Sequence, residues 1–530
     1  MTADAIVVGA GPNGLVAANL LADAGWDVLV VEAQSEPGGA VRTGESAATG
    51  FRHDLYSAFY PLGAASPVMR ALDLDRWGLR WRRAEVVVAH PGLDGTCATL
   101  ATDLDETVAS LEAFADGDGA AWRRLYELWE SVGPTLIDAL MSPFPPVRAG
   151  LSLVGRLRAR GLLRLARFAT LPVRTLGEEA FRGDGGPRLL AGNALHADLT
   201  PASAGGGLYG WLLCGLGQQI GFPVPEGGAG RLSDALVARL RAGGGEIRCG
   251  DAVSAIDVRG GRACGVRTTG GAKYGARRAV IAAVSAQRLY ERLLPRDAIP
   301  ESILSDLRRF ALDSATVKVD WALDGPIPWS HPDARRAGTV HVSEGLNGLD
   351  RQGNQLARHE VPDQPFMVLG QYASFDPTRH PDGCESAWAY AHVPQDVRSD
   401  GGPDAITGTW DERETTAFVA RMEAQVEALA PGFGDLIRAR SVWSPRRLEA
   451  TDANLVGGSL NGGTAQVHQQ LVFRPFPGLA RPETPVGGLY LGSSSAHPGG
   501  GVHGACGANA ARAAMHRSLS GTAARRLARR

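Results

Sequence analysis

The chain has 530 residues, more than one hydrophobic core usually serves, so we expect two packed domains. Its shares of hydrophobic (44%) and charged (21%) residues are those of an ordinary globular protein, which excludes a disordered or fibrous chain. A net charge of −2 lacks the positive excess of nucleic-acid-binding proteins, so we expect no nucleic-acid partner.

The cysteines give no sign of a metal or redox centre. Six are scattered along the chain, and no two have the Cys-x-x-Cys spacing of a zinc site or a redox dithiol. We therefore expect no metal. The first apolar strand follows Met1 almost at once, which leaves no room for a signal peptide and favours a reducing cytoplasm.

No stretch approaches the roughly 18 uncharged apolar residues that cross a bilayer. The nearest candidate, residues 151–171, contains five arginines, each costing roughly 2.5–3.5 kcal/mol at the membrane centre. Residues 147–167 remain open to two interpretations. They form either an interfacial helix that makes a peripheral membrane contact, or a helix of the second domain with buried leucines and solvated arginines. Gly150, Gly155 and Gly161 weaken a continuous helix and favour the second interpretation.

The N-terminus has the pattern of a dinucleotide-binding unit. The apolar run from Ala5 to Val8 predicts a buried parallel strand, and an Ala- and Leu-rich helix follows that ends at Gly25. The run from Val28 to Val31 predicts the second strand. Together these elements form a βαβ unit of the expected length.

Three glycines and one acid give this unit its predicted chemistry. Gly9 permits the tight turn, Gly11 lets the backbone approach a pyrophosphate at the helix N-terminus, and Gly14 permits close packing of helix on strand. Glu32, at the tip of the second strand, is placed to accept hydrogen bonds from a ribose hydroxyl. We assign to the same site the neighbouring residues Pro12, Asn13 and Ala33.

A second glycine motif distinguishes FAD from NAD. Pro37-Gly38-Gly39-Ala40-Val41-Arg42 follows Glu32 closely and supplies another close backbone approach to a deeply threaded cofactor. The segment resembles the second FAD motif of the flavoproteins that include amine oxidases and carotenoid desaturases. In the commoner form an Arg directly follows the glycine pair. In this chain Ala40 occupies the position after the glycine pair, and Arg42 comes later. This variant occurs within the desaturase branch.

Two distant segments fit the same flavoprotein group. An alternating pattern from Ala252 to Val266 predicts a β-meander, and the apolar run from Ala279 to Val284 predicts a strand that returns to the first sheet. Near the C-terminus, a strand runs into the glycine-rich turn 492–504 and then an Ala-rich helix. This segment resembles the closing motif of phytoene desaturase-like proteins. It is closest to the branch named pyridine nucleotide-disulphide oxidoreductase domain-containing protein 2.

The resemblance runs from residue 4 to about residue 515 and implies an FAD-dependent oxidoreductase of the α/β class. The implied fold is a Rossmann-like FAD-binding domain, with a parallel sheet plus a β-meander, and an inserted mixed α+β substrate domain. The FAD-binding domain is expected at residues 1–65, 219–293 and 477–530. The substrate domain is expected at residues 66–218, mainly helical, and 294–476, with sheet and helices. The implied FAD contacts near the meander and the closing motif are Val253, Gly492, Ser493, Gly501, Val502 and His503.

Two histidines flank the glycines that should meet the flavin ring. An imidazole at His503 or His497 could polarise the flavin, orient a substrate or relay a proton near neutral pH. The alternative is that each ring only makes a hydrogen bond within the turn. Both are candidate catalytic residues.

Further candidates lie elsewhere in the chain. Lys318 shares a strand face with Asp320 and is a candidate catalytic residue, against the alternative of an ordinary ion pair on a half-exposed strand. Tyr56 follows the glycine pair and is the candidate substrate contact, with His53 and Asp54 beside it in the cleft.

The leading functional hypothesis is a dehydrogenase or desaturase with non-covalently bound FAD. It would move a hydride from a carbon of a largely apolar small molecule to flavin N5, and oxygen, a quinone or another acceptor would reoxidise the flavin. One alternative is a flavin-dependent isomerase or saturase of a polyene-like substrate. Another is a flavin-stabilised interaction protein without turnover.

Overall fold

A computed structural model of the chain contains two large β-sheets with helices packed on them. It describes residues 1–527, except for the side chains of residues 153, 156–159 and 519–527. The first sheet carries the predicted βαβ unit, and the second forms one wall of a large cavity.

The first sheet is centred on the strand Thr2–Val8. This strand pairs in parallel with Val28–Val31 on one side and with Lys273–Ala282 on the other. Its remaining strands are Glu246–Arg248 and Leu489–Leu491, which are parallel to their neighbours, and Val253–Arg259 and Arg262–Thr268, which form an antiparallel meander. The central strands are apolar throughout because both faces of a parallel sheet are covered.

Three helices pack together beside this sheet: Pro12–Asp23, Gly230–Ala242 and Ala505–Leu527. The closing helix lies directly on the first one, since a Cβ on Gly507 would stand 1.8 Å from the carbonyl oxygen of Asn13. Only glycine permits this approach. It brings the C-terminal glycine-rich turn to the same place as the N-terminal one.

The second sheet is mainly antiparallel. Its strand order is Ile437–Trp443, Ala315–Leu323, Glu385–Val393, Met367–Gly370, Ala337–Val342, Val86–Pro91 and Cys97–Ala101, and only the pair Ala337–Val342 and Val86–Pro91 is parallel. Residues 66–218, expected to be mainly helical, therefore also supply two strands. Shorter two-stranded pairs are Thr43–Gly44 with His53–Asp54, Trp81–Arg82 with Val224–Pro225, and Glu360–Val361 with Ser399–Asp400.

Both faces of the strand Ala315–Leu323 are covered, and all of its residues are buried. Val317, Val319 and Trp321 belong to the core that includes apolar residues of the helix Glu412–Leu429. Of the alternate residues, Thr316 and Lys318 line the large cavity. The expectation that the strand around Lys318 is half-exposed is therefore wrong, because the polar face of this strand borders the cavity and not the solvent.

The remaining α-helices of the described residues are Pro61–Ala65, Pro67–Arg70, Leu104–Glu112, Asp118–Met141, Val147–Phe168, Val173–Ala180, Gly185–Leu195, Gly206–Ile220, Ala286–Arg288, Glu301–Leu307, Pro332–Arg336, Leu346–Ala357 and Pro445–Thr451. Most of them surround the cavity or cap the second sheet. Among the described residues, no helix is both long and apolar enough to cross a membrane.

Val147–Phe168 is one continuous helix despite its three glycines. Strong helix formers such as Leu and Arg occupy most of its other positions and offset the roughly 1 kcal/mol that each glycine costs. Leu151 and Leu163 are more than half exposed, so the leucines of this helix are not all buried as one interpretation required. The side chains at 153 and 156–159 lie outside the described residues.

Candidate functional site

A cleft lies at the carboxyl ends of the first two strands and encloses about 1320 Å³ of empty space. Gly11 is the N-cap of Pro12–Asp23 and has an ordinary φ of −72°. A Cβ on Gly11 would meet nothing within 4 Å except the Cα of Gly39, at 3.9 Å, so a side chain there would fill the cleft. A helix N-terminus that opens on such a space fits a pyrophosphate.

At each neighbouring position, glycine is required for a different geometric reason. Gly9 has φ +98°, which L side chains rarely adopt. A Cβ on Gly14 would lie 2.1 Å from the carbonyl oxygen of Gly9, so helix and strand can only be this close without a side chain. Gly39 has φ +53°, and its Cβ would stand 3.0 Å from the Cα of Gly11. The two glycine motifs therefore touch backbone to backbone.

The carboxylate of Glu32 is fixed at the edge of the cleft. Its Oε2 accepts the backbone N–H of Ala10 at 2.6 Å, and its Oε1 accepts that of Gln34 at 2.8 Å. A carboxylate has about four acceptor positions, so two remain for ribose hydroxyls. The side chain is held in place for that contact before any ligand binds.

Most of the residues assigned to FAD binding line this cleft: Gly9, Gly11, Pro12, Asn13, Gly14, Glu32, Ala33, Gly39, Ala40, Arg42, Val253, Ser493, Gly501 and Val502. Four assigned residues do not. One of them, His503, lines a neighbouring cavity described below, and the other three lie outside both spaces. The Val41 side chain packs in the core. Gly38 faces Val41, Arg42 and Ser233, and Gly492 packs against Ile281 and Ala510. Their role is to shape the motifs, because glycine and apolar residues there permit close packing.

Sequence reasoning missed the third wall of the cleft, formed by residues 283–285, 288, 452–455, 460 and 462. Asn454 Oδ1 accepts the backbone N–H of Ser285 at 2.9 Å and so ties this segment to the end of the first sheet. Burial raises the pKa of Asp452, although Arg42 and Arg288 oppose that shift. No local pattern in the sequence indicated Arg288 or Asp452.

A second, larger cavity with about 1660 Å³ of empty space adjoins the cleft. The second sheet and the helix Gly206–Ile220 contribute much of its wall, with aromatic side chains that include Phe59, Trp388 and Tyr390. The residues shared by the cavity and the cleft are Ala40, Leu455, Leu460, Gly500, Gly501 and Val502. A long ligand in the cleft would therefore present one end to an apolar chamber.

The junction has an unusual backbone. Val502 has φ +52°, although β-branched residues rarely adopt the left-handed region, and Gly501 before it has φ +117°. Such conformations persist where the surrounding structure holds them and are concentrated at functional sites. The turn presents its backbone to both spaces.

His503 lines the cavity beside this turn and is 2% exposed. Its Nδ1 accepts the backbone N–H of Ala505 at 3.1 Å, at the start of the closing helix. Burial lowers the pKa of His503 to about 4, so its ring is neutral at pH 7. This environment favours a positioning role over the proton relay near neutral pH that the sequence suggested.

His497 lines neither space. Its Nε2 donates to the carbonyl oxygen of Ser142 at 3.1 Å, and burial lowers its pKa to about 4. The structure thus gives this candidate catalytic residue the alternative role of a hydrogen bond within the fold.

Lys318 and Tyr56 both line the cavity. The ammonium of Lys318 is 4% exposed and pairs with Asp320, which also accepts from Ser46 Oγ at 2.8 Å and Trp443 Nε1 at 2.9 Å. Tyr56 accepts a hydrogen bond from Arg42 at 2.7 Å, which links the cavity wall to the second glycine motif.

Two neighbours of Tyr56 do not reach the cleft as expected. His53 is fully buried, with Nε2 donating to the carbonyl oxygen of Trp321 at 3.0 Å. Asp54 forms a fully buried ion pair with Arg379 at 2.9 Å. Both side chains turn into the domain interior, because the strand pair that carries them is covered.

These features fit FAD. The open side of Gly11 would receive the diphosphate, Glu32 would accept from the ribose, and the turn 499–502 lies where the far end of the cofactor would meet the cavity. Arg42 and Arg288 add positive charge for the phosphates.

Comparison with known proteins agrees with this geometry. The family described as "NAD(P)-binding Rossmann-like domain" matches residues 7–73, and "Flavin containing amine oxidoreductase" matches residues 99–383. The pyridine nucleotide-disulfide oxidoreductase domain-containing protein 2 of Rattus norvegicus is 30% identical over 96% of this chain and 92% of its own length. Hydroxyneurosporene desaturase of Cereibacter sphaeroides is 28% identical over 94% of each chain. A solved oxidoreductase from Methanosarcina mazei superposes with a TM-score of 0.63 at 15% identity, over 97% of this chain and 100% of that one.

Proposed function

The chain belongs to the flavin-containing amine oxidoreductase family and is an FAD-dependent oxidoreductase, and from that premise we propose that it is a dehydrogenase or desaturase of a largely apolar small molecule. The observation that carries this proposal is the apolar cavity that meets the FAD cleft at Gly500–Val502. A relative that aligns along almost its whole length is named as a desaturase of hydroxyneurosporene, which supports C=C bond formation.

When bound, FAD would supply the two-electron acceptor: the substrate would give a hydride from one carbon to flavin N5 and a proton from the neighbouring carbon, which together would reduce FAD to FADH2 as a C=C bond forms. Oxygen, a quinone or another acceptor would then take up the two electrons and two protons. The chain itself binds the substrate and excludes water. Phe59, Trp388 and Tyr390 give the chamber apolar walls. The Lys318 ammonium in this wall is paired with Asp320, so its charge is compensated against an apolar substrate.

The test uses purified protein with its FAD under anaerobic conditions. Candidate terpenes and polyenes are added, and the loss of the oxidised flavin's visible absorbance is followed together with the mass of the product. Flavin reduction and a product lighter by two hydrogens support the proposal. An isomer of unchanged mass with no acceptor consumed would favour the isomerase. An FAD that none of these compounds reduces would favour a non-catalytic interaction protein.

We also propose that the protein reaches its substrate through a peripheral membrane contact. Val147, Leu151, Val154 and Leu163 are each more than half exposed on one helix. A Cβ on Gly205 would lie 2.9 Å from Val467 Cγ1 and 3.4 Å from the carbonyl oxygen of Ala169, so the loop 467–473 adjoins the end of this helix. That loop adds Leu471, Val472 and Phe473 to the exposed apolar surface, and its Gln470 lines the cavity.

Sedimentation with vesicles of mixed anionic and zwitterionic lipids tests this contact. Leu151→Ser combined with Leu163→Ser should reduce the bound fraction, because each removes exposed apolar area from the interface. Leu93→Ser is the matched control, since Leu93 is equally exposed on the hairpin after Val86–Pro91. Wild-type protein that stays in the supernatant would contradict the proposal.

A further inference from the structure

Three buried polar atoms in the cavity wall have no hydrogen-bond partner among the described residues, and two of them are neighbours. These two are Thr316 Oγ1 and His392 Nδ1, and each residue is 1% exposed. Both residues line the cavity. Buried polar side-chain atoms in folded proteins are nearly always paired, because an unpaired one loses its hydration without compensation. Two unpaired atoms in one wall therefore indicate a site for a polar group of a ligand.

The two residues are direct neighbours across the second sheet. Thr316 on Ala315–Leu323 stands opposite His392 on the antiparallel strand Glu385–Val393. Side chains at such opposite positions point to the same face, with Cβ atoms roughly 4.5–5.5 Å apart. One small group can therefore contact both.

The hydrogen bond on the far side of the imidazole determines what His392 offers. Its Nε2 lies 3.2 Å from the carbonyl oxygen of Leu195. A carbonyl can only accept, so Nε2 carries a proton, and in the imidazole form with one proton Nδ1 is a bare acceptor. The hydroxyl of Thr316 can donate. The wall thus presents an acceptor beside a donor.

We propose that Thr316 and His392 bind the hydroxyl group of an otherwise apolar ligand. The ligand oxygen accepts from Thr316 Oγ1, and the ligand O–H donates to His392 Nδ1. An ether or a ketone has no proton to donate and leaves Nδ1 unpaired, and a hydrocarbon leaves both atoms unpaired. This inference rests on the proposed function, because it takes the cavity as the substrate site.

Thr339 provides the internal comparison. Its Oγ1 is also buried without a partner among the described residues, and it lines the same cavity. It stands opposite Gly370 on Met367–Gly370, so no acceptor side chain faces it across that strand pair. A hydroxyl bound at Thr339 meets no imidazole directly across this strand pair that could accept its proton.

The experiment measures the binding of geraniol and of its methyl ether to the FAD-containing protein, through the perturbation of the flavin spectrum. We expect geraniol to bind about tenfold more tightly or better, the effect of one buried hydrogen bond. Thr316→Val keeps the side-chain size without the hydroxyl. His392→Phe keeps a ring of similar size and removes both ring nitrogens, and its melting temperature is measured alongside because the Leu195 carbonyl loses its donor. His392→Phe should bring geraniol down to the affinity of the ether. Thr316→Val should weaken both compounds, because the alcohol and the ether oxygen both accept from Thr316, whereas Thr339→Val should leave the ratio of the two affinities unchanged.

Three results would overturn the inference. Wild-type protein that binds both compounds equally, or binds neither, has no hydroxyl site in this wall. A His392 variant that keeps the preference, or a Thr316 variant that binds both compounds as tightly as the wild type, would show that an ordered water satisfies the pair. A preference lost equally in Thr339→Val would place the effect elsewhere in the cavity. FAD content and flavin reduction are measured on the same samples. A reducible FAD without alcohol preference overturns this inference alone, whereas an FAD that no terpene or polyene reduces overturns the proposed function.

Discussion

A Cβ placed on Gly39 would stand 3.0 Å from the Cα of Gly11, so the two glycine motifs of the chain form one continuous floor for the cofactor. The first motif leaves no room for a side chain on Gly39, whereas a side chain on Gly11 would point into the cleft. Glu32 lies between them in sequence and is held by the backbone N–H of Ala10 at 2.6 Å. This floor of the FAD cleft is therefore formed by contacts within the first forty-two residues.

Gly11→Val should abolish FAD binding and leave a folded protein. With φ at −72° the backbone at Gly11 accepts any residue, so the loss comes from the side chain that fills the pyrophosphate space and not from strain. The FAD-to-protein ratio and the circular dichroism spectrum check this. Gly270→Val is the control, because its Cβ would meet only Asp251 Oδ1 at 3.6 Å in an exposed turn. Full flavin occupancy in Gly11→Val would mean that the diphosphate binds elsewhere.

Glu32→Ala should weaken FAD binding by about 1.5–3 kcal/mol, the range for a hydrogen bond to a charged group. The variant also frees the N–H groups of Ala10 and Gln34 that the carboxylate now holds. Titration of the apoprotein with FAD measures the change. Glu36→Ala should have no effect, since Glu36 is exposed and does not line the cleft. Equal affinities for the wild type and Glu32→Ala would contradict the ribose contact.

His503→Asn should retain FAD and melting temperature better than His503→Ala. An Asn oxygen can replace Nδ1 as the acceptor for Ala505, whereas Ala leaves that buried N–H unpaired, at a cost of about 1–3 kcal/mol. Since the pKa of His503 is lowered to about 4, flavin reduction should show no inflection from this residue between pH 5.5 and pH 8, a window chosen about the ordinary histidine value. An inflection near pH 6.5 that disappears in His503→Asn would restore the acid–base role.

Lys318→Met should destabilise the protein by about 3–5 kcal/mol, because it leaves the buried carboxylate of Asp320 without its cation. Ser46 and Trp443 still donate to that carboxylate, which places the expected loss at the lower end of the range. The double variant with Asp320→Asn should recover most of the stability, since no buried charge remains. Urea unfolding of the three proteins gives the comparison. A single variant as stable as the wild type would show that the pair is not isolated from water.

The sequence predicted the family, the α/β fold and the FAD cofactor, and all three predictions are confirmed. These predictions were possible because the residues that bind a dinucleotide lie close together in the sequence. A turn at Gly9, a bare helix N-terminus at Gly11 and an acid at Glu32 lie within one short segment, where residue type alone indicates backbone conformation. The distant closing motif was found by resemblance, and Gly507 shows its physical basis in the contact with Asn13.

The sequence did not determine the surroundings of the catalytic candidates. Alternation along Ala315–Leu323 predicted one face in solvent, but the cavity lies there, so Lys318 is buried. His497 and His503 are near neighbours in sequence, yet only one reaches the cavity. Thr316 and His392 lie 76 positions apart in sequence (392 − 316) and meet only because their strands pair. The pairing of distant strands and the burial that follows depend on the packing of the whole chain, so the ionisation, hydrogen bonds and cavity position of these side chains were decided by the tertiary structure alone.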